Sequence, residues 1–593
     1  MNFRNCGGFS SILMNWSDEM LDATEVKFIL ATFDQPIAEQ IWRLKYQNMN
    51  QGRAIDRSLS DTWLRVANSL SQIEGVEQRD DVGLKFYKAM EGFKLLPGGR
   101  ILAGSGTQHN VTLYNTFVMA TIPDSVSGIM DVAKTAALTM QMGGGIGFDF
   151  STLRPHGTLV KGLDCPAAGP LGAMDICDAV CNMLVTGMGR GAMMATLRCD
   201  HPDIEYFVAA KSDPSRLRNF NLSVLISDTF MEAVTADTDW PLIWNNKVIR
   251  RTRARTLWDA IMRQAYDTAE PGVLFIDRIN ATNPLGYIEK IAATNSCAEQ
   301  PLPPNGACPL ASINLAKLIV NPFEPHAELD RPQLCQLAGT AVRMLDNVID
   351  LSQFPIEAQR SEALAKRRIG VGVTGVADAL IMLGVRYGSP RAVRLVGDWM
   401  QTIQNAVYLA SAKLAAVRGA FPLYNAKLHQ QHGSIARLDP VVQRAIAKHG
   451  LRNGVLTTIA PTGTISMFGG NVSSGIEPVF ATAYTRMVTQ PGGKKTQELV
   501  EDYAVYLYHK MFGKSAPLTD AFVSIKDLRP DDHVRMQAAA QRWVDSGISK
   551  TVNCPENIPF AVFDDIYRQA FDAGCKGCTT YRPNAVTGSV LFA

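Results

Sequence analysis

The stretch NFNLSVLISDTFMEAV, residues 219–234, sets the fold class. Residues 222–226 are a short apolar run, and Ser227-Asp228 follows as a cap for an amphipathic helix beyond. The same order recurs at 368–374, which runs through Gly375 into an apolar helical stretch ending near Leu383. Residues 115–120, 272–276 and 454–459 are further strand candidates. Strand then helix, repeated, argues for parallel α/β architecture. A closed barrel and a doubly wound open sheet both satisfy that pattern, and periodicity does not choose between them.

Outward from this body the texture changes. Residues 20–95 are helix-like, with apolar positions three and four apart over 36–44 and 81–96. This predicts a helical N-terminal region over 1–95 and an α/β body over 96–593. Helices are also predicted over 385–450, 497–509 and 531–546, and strand-like content returns at 575–582.

The 593 residues carry 58 basic and 56 acidic side chains, for a net charge of +2. That balance offers no basic face for displacing counterions from nucleic acid. The best apolar stretch, 369–385, is broken by Asp378 and falls short of the ~20 clean residues a membrane span needs. The N-terminus shows no apolar core followed by a cleavage site, so the expected location is cytoplasmic, with eleven reduced cysteines.

The densest chemistry lies in TNSCAEQPLPPNGAC, residues 294–308. Asn295, Cys297 and Glu299 alternate, so in an extended loop their side chains fall on one side. A thiol beside a carboxylate and a carboxamide can supply a reactive sulfur, a proton-transfer group and an orienting partner. Cys308 is a second thiol eleven residues on, and the intervening prolines make the loop stiff. A structural loop with incidental cysteines fits the same spacing. LTTIAPTGTIS, 456–466, reads as a strand, a tight turn and a helix start suited to phosphate, or simply as a capped helix. Gly143-Gly-Gly-Ile-Gly147 reads as a tight turn, and Asp200-His-Pro-Asp203 as a capped helix start. Cys575-Lys-Gly-Cys578 has no second pair to close a tetrahedral metal site, so no metal is expected.

In order along the chain, LPGGRILAGSGT (96–107), ALTMQMGGGIGFDFSTLRP (137–155), RGAMMATLRCDHPDIE (190–205), PGVLFIDRIN (271–280), SSGIEPVFATAYTR (473–486) and GCKGCTTYR (574–582) join the motifs above. Together they resemble the large chain of ribonucleotide reductases, specifically the adenosylcobalamin-dependent class II. The resemblance runs from about residue 36 to 590. It implies a ten-stranded α/β barrel with a finger loop, 294–315, through its centre. It implies reduction of ribonucleotides, with diphosphates favoured, by a thiyl radical on Cys297. Glu299 would handle the ribose 3′-OH proton, Asn295 would orient the substrate, and Cys308 would be one of two reducing thiols. Asn115, Thr116, Gly144 and Gly145 would lie near the substrate, and Pro461, Thr462, Gly463, Thr464, Ile465 and Ser466 would hold its phosphate. Arg190, Gly191 and Ala192 would belong to the loop coupling a nucleotide effector to the substrate base, in a homodimer.

The class follows from a comparison with the family. Diiron-dependent relatives receive the radical through a tyrosine pair near the C-terminus, where this chain has Thr579 and Thr580. The radical is then expected to arise locally, from adenosylcobalamin. The main departure is at position 116, where the family usually has the cysteine that pairs with Cys308 and this chain has threonine. No C-terminal shuttle cysteines are expected either. Three readings stay open: a reductase using another reductant, as formate serves in the glycyl-radical class; a divergent radical enzyme with a different nucleotide product; and a catalytically silent nucleotide-binding paralogue.

Overall fold

The computed structural model describes residues 32–188, 191–489 and 495–584. The opening stretch folds as its pattern requires. Phe220–Ile226 is a strand buried at every position but Asn221, the signature of a parallel strand covered on both faces. The Ser227 hydroxyl accepts from the Phe230 N–H at 3.1 Å and caps the helix Asp228–Ala236. Such a cap contributes about 1 kcal/mol.

This strand lies in an eight-stranded sheet. Thr116–Val118, Gly145–Asp149, Met193–Arg198, Phe220–Ile226 and Gly272–Phe275 run parallel in that spatial order. Ala307–Cys308 adds antiparallel at the first edge. Gly577–Tyr581 adds antiparallel at the other, with Thr551–Asn553 parallel beyond it. A second, three-stranded sheet sets Leu310–Asn314 between Gly370–Thr374, parallel, and Leu95–Pro97, antiparallel.

The fold is therefore mixed α/β with a large, mainly parallel sheet. Single bridges, Val371 to Thr457 and Ile459 to Ile548, lie beside these two sheets. The strand predicted at 454–459 is irregular for a visible reason. The N–H groups of Leu456 and Thr457 donate to the Asp545 carboxylate, at 3.1 and 3.2 Å, instead of to a ladder.

Two further predictions change. Residues 143–147 are not merely a turn, because Gly145–Asp149 is a central strand. At Gly147 an added Cβ would lie 1.7 Å from the Thr294 carbonyl oxygen, so only glycine lets the finger pass. The helix predicted over 497–509 begins only at Tyr503, with Asp502 as its cap. Lys495–Glu501 instead pairs with Ala483–Thr489, which satisfies its backbone more fully than a helix end would.

From residue 32 the N-terminal region is helical, and residues 1–31 of the predicted 1–95 lie outside the described residues. Leu59–Ser71 starts with a Ser58–Asp61 capping box and packs on Arg79–Met90. Trp63 and Phe93 meet Phe468 at 5.4 and 5.1 Å between ring centroids. Phe468 ends the short helix Gly463–Phe468, so this aromatic cluster fixes the predicted phosphate turn against the helical region. Among the described residues, no helix is long and apolar enough to cross a membrane. Nor does any group of three potential metal ligands occur among them.

Candidate functional site

Ala293–Thr294 and Pro301–Leu302 pair antiparallel, making residues 295–300 the tip of a hairpin. The tip closes with the Asn295 N–H on the Gln300 carbonyl at 3.1 Å and the Ala298 N–H on the Asn295 carbonyl at 3.2 Å. Ala298 sits at φ 64°, in the left-handed region. The expected extended loop is thus a tight turn, and alternation is not what gathers the three groups. Asn295 and Glu299 are buried, and Asn295 Oδ1 accepts from the Gln300 N–H at 2.9 Å. Cys297 alone of the three is exposed.

The large sheet and two irregular segments grip this tip. The Glu299 carbonyl accepts from the Thr458 hydroxyl at 2.7 Å and the Gly547 N–H at 2.8 Å. The Ser296 carbonyl accepts from Asn221 Nδ2 at 2.8 Å, from the one exposed residue of Phe220–Ile226. Thr196 Oγ1 donates to the Ala292 carbonyl at 2.9 Å. Many fixed contacts on one turn are what a site needs to hold reacting atoms in register.

Cys297 faces a cavity of about 1360 Å³. Burial, reinforced by Glu299, pushes the Cys297 thiol up to about 12. Burial raises Glu299 to about 7, opposed by the Asn295 side chain, and its Oε2 has no partner. A nucleophilic cysteine needs the thiolate and a lowered pKa. Here the sulfur is kept as S–H at neutral pH, which suits transfer of a hydrogen atom.

Cys308 lies directly opposite Thr116 in an antiparallel pair. The Thr116 hydroxyl donates to the Cys308 carbonyl at 2.9 Å. The Cys308 thiol is fully buried, with its pKa raised by burial, and its nearest acceptor is the Pro309 carbonyl at 3.6 Å. Directly opposed antiparallel residues have Cα atoms ~4.5–5.5 Å apart, within the span a disulfide requires. Thr116→Cys is therefore expected to form a disulfide with Cys308 during one turnover. The expected gain is about one product per site without added reductant, because the pair then supplies two electrons. Quenched single-turnover product and a matching loss of two free thiols are the measurements; product at the wild-type level with no thiol loss would exclude position 116 as the limitation.

Gly463, Thr464 and Ser466 line the cavity, and the Ser466 hydroxyl meets that of Ser474 at 3.0 Å. The Thr462 hydroxyl does not face the cavity. It accepts from the Gly475 N–H at 2.7 Å and meets Thr374 Oγ1 at 3.0 Å, tying the turn to Gly370–Thr374. Pro461 precedes it, and Ile465 is buried. Gly144 packs on the Phe117 ring, and an added Cβ at Gly145 would be 3.2 Å from Ser296 Oγ, beside the fingertip. Asn115 Oδ1 is buried without a partner. Gly191 abuts Cys181, the Ala192 carbonyl accepts from Ile146, and Arg190 lies outside the described residues. Asp203 does not cap the helix at 204; its carboxylate accepts from the His156 N–H at 2.8 Å.

Sequence reading missed Asn221, Thr458, Gly547 and Lys576. Asn221 carried a signal, as the polar interruption of an apolar strand. Lys576 lay inside a motif read for its cysteines, both of which are buried and free.

The model of the ribonucleotide reductase barrel domain matches residues 115–581, and that of the ribonucleotide reductase all-alpha domain matches 32–110. The vitamin B12-dependent ribonucleoside-diphosphate reductase of Thermoplasma acidophilum is 36% identical over 529 residues, covering 86% of this chain and 66% of the relative. The protein of the same name from Mycobacterium tuberculosis is 37% identical over 533 residues, covering 86% and 73%. The vitamin B12-dependent ribonucleotide reductase of Streptomyces coelicolor is 26% identical over 562 residues, covering 82% and 58%. The chain thus spans about two thirds to three quarters of the first two relatives. With both domain models matched in order, and a hairpin tip carrying a cysteine between a carboxamide and a carboxyl, the chain belongs to the ribonucleotide reductase large-chain family.

Proposed function

We propose that this chain is the catalytic body of an adenosylcobalamin-dependent ribonucleotide reductase acting on ribonucleoside diphosphates. The observation that carries the reading is Cys297, held as S–H on a cavity wall beside the buried carboxyl of Glu299. The curated relatives named above supply the substrate class and the cofactor. The residues fit that cofactor. A cavity of about 1360 Å³ exceeds the ~300–1,000 Å³ of ordinary ligand pockets and leaves room for a corrinoid beside a nucleotide. Asn553, Glu556 and Thr579 of its lining would hold it.

Bound adenosylcobalamin supplies the one-electron chemistry that turns the Cys297 S–H into a thiyl radical. The Cys297 sulfur then takes the hydrogen atom from the ribose C3′. Glu299 accepts the 3′-OH proton, with Asn295 orienting the group, while the 2′-OH takes one proton from the reducing dithiol and leaves as water; Glu299 returns its proton to the 3′-oxygen as the sugar is reduced. Two electrons and two protons from a dithiol reduce the sugar, the dithiol becoming a disulfide, and Cys297 returns its hydrogen to C3′. Cys308 contributes one thiol, so an external reductant completes the pair. Gly463, Thr464 and Ser466 would hold the phosphates.

The same proposal covers the finer architecture. The two sheets and their bridges support a ten-stranded barrel over 96–593 around the finger at 294–315, preceded by the helical region 1–95. A nucleotide effector acting through Arg190, Gly191 and Ala192 in a homodimer belongs to the family pattern. Free cysteines throughout the described residues suit a reducing cytoplasm.

Thr116 opposite Cys308 favours one second reading, a radical reaction that ends without net reduction. Anaerobic incubation with adenosylcobalamin, a ribonucleoside diphosphate and a dithiol decides. A 2′-deoxynucleotide is expected. A different nucleotide product would establish the second reading, and no cofactor cleavage with any nucleotide would refute both.

A further inference from the structure

Lys576 is buried, and its ammonium has no carboxylate among its hydrogen-bond partners. Nζ donates to the main-chain oxygens of Asp545 and Ser546, the latter at 3.1 Å. The Asp545 carboxylate is engaged elsewhere, by Tyr408, Gln404, Leu456 and Thr457. Enclosing a cation with no carboxylate hydrogen-bonded to it is costly: burial brings Lys576 down to about 8, and the nearby Asp545 carboxylate only partly opposes this. What the ammonium secures in return is the turn 545–547.

That turn touches the fingertip directly. The Gly547 N–H donates to the Glu299 carbonyl at 2.8 Å, and Ser546 Oγ reaches Gln300 Oε1 at 3.4 Å. Thr458 Oγ1 spans the Glu299 and Gly547 carbonyls at 2.7 and 3.2 Å. A Cβ at Gly547 would lie 2.5 Å from the Ala298 carbonyl oxygen and 3.2 Å from that of Glu299. With no slack between turn and tip, a displaced turn moves the main chain of Glu299.

We propose that Lys576 is a positioning residue: its ammonium locks the 545–547 turn against the fingertip and so sets where the Glu299 carboxyl stands relative to Cys297. This rests on the reading of Glu299 as the proton-transfer group. The titratable groups facing Glu299 are Cys297 and Cys308, both held neutral by burial. Lys576 is not among the charges that shift Glu299, so its influence runs through the backbone.

The test uses cofactor-free full-length protein. Difference infrared spectra against pH, with Glu299→Gln as the blank, isolate the Glu299 carboxyl band, expected to titrate near 7 in the wild type. Lys576→Met keeps the bulk and removes the donors. It is expected to lower the midpoint by about one unit, as the loosened tip admits water. Lys576→Gln is the alternative if Lys576→Met does not fold. Gly547→Ala leaves the lysine intact, pushes the turn off the tip, and is expected to shift the midpoint the same way. In the loaded enzyme kcat should fall roughly 10- to 100-fold with KM unchanged. A midpoint unmoved in the lysine variants, with only thermal stability lost, would overturn the proposal. A wild type with no carboxyl titrating near 7 would instead overturn the reading of Glu299.

Discussion

Cys297→Ala is expected to reduce deoxynucleotide formation to assay background while leaving the protein folded. The substitution removes one sulfur at the edge of a cavity, so it opens no void in the core. It deletes the exposed sulfur of the fingertip. No neighbouring thiol can stand in. Cys308 does not replace it, because it sits opposite Thr116 in a separate strand pair, off the fingertip. Product quantified under anaerobic conditions, together with cofactor binding followed by absorbance, separates loss of chemistry from loss of the site. Turnover persisting in Cys297→Ala would end the thiyl assignment.

The second large effect is expected at Glu299. Its carboxyl titrates near 7 because burial disfavours the charged form, and the Asn295 side chain only partly offsets this. A base must be ionised to accept the 3′-OH proton, so kcat is expected to rise with pH and level off above about 7. Glu299→Gln keeps the shape, removes the proton acceptor and should lower kcat by ~10²–10⁴-fold, erasing that limb of the profile. The sign for stability is opposite. The folded protein holds this proton up to about 7, whereas an ordinary glutamate releases it near 4.5. The group's contribution is therefore full below about 4.5 and is lost as pH rises through about 7. Urea melts at pH 5 and pH 8 should show a smaller difference in Glu299→Gln than in the wild type. A pH profile unchanged in that variant would remove Glu299 from proton transfer.

Much of the architecture is legible because parallel strands buried on both faces leave continuous apolar runs, as at Phe220–Ile226 and Gly370–Thr374. Caps are equally readable, since Ser227 needs only its own helix to act. The segment 454–459 has the same apolar run but not the same ladder, because a distant carboxylate, Asp545, takes two of its N–H groups. Lys495–Glu501 went the other way, drawn into a hairpin by Ala483–Thr489. Local pattern is silent on both competitors.

At the site, the sequence by itself determined which groups are available: a cysteine, a carboxyl and a carboxamide within five residues, a second cysteine eleven residues on, and a threonine where the family carries the partner thiol. Side-chain chemistry is local, so composition and order suffice for that. Only the tertiary structure decided how those groups behave. The pKa values of Cys297 and Glu299 are raised by the protein packed around them, and the fingertip geometry is held by Asn221, Thr458 and Gly547 from remote strands and turns. Desolvation and long-range hydrogen bonds depend on what the fold brings into contact, a property no single segment encodes.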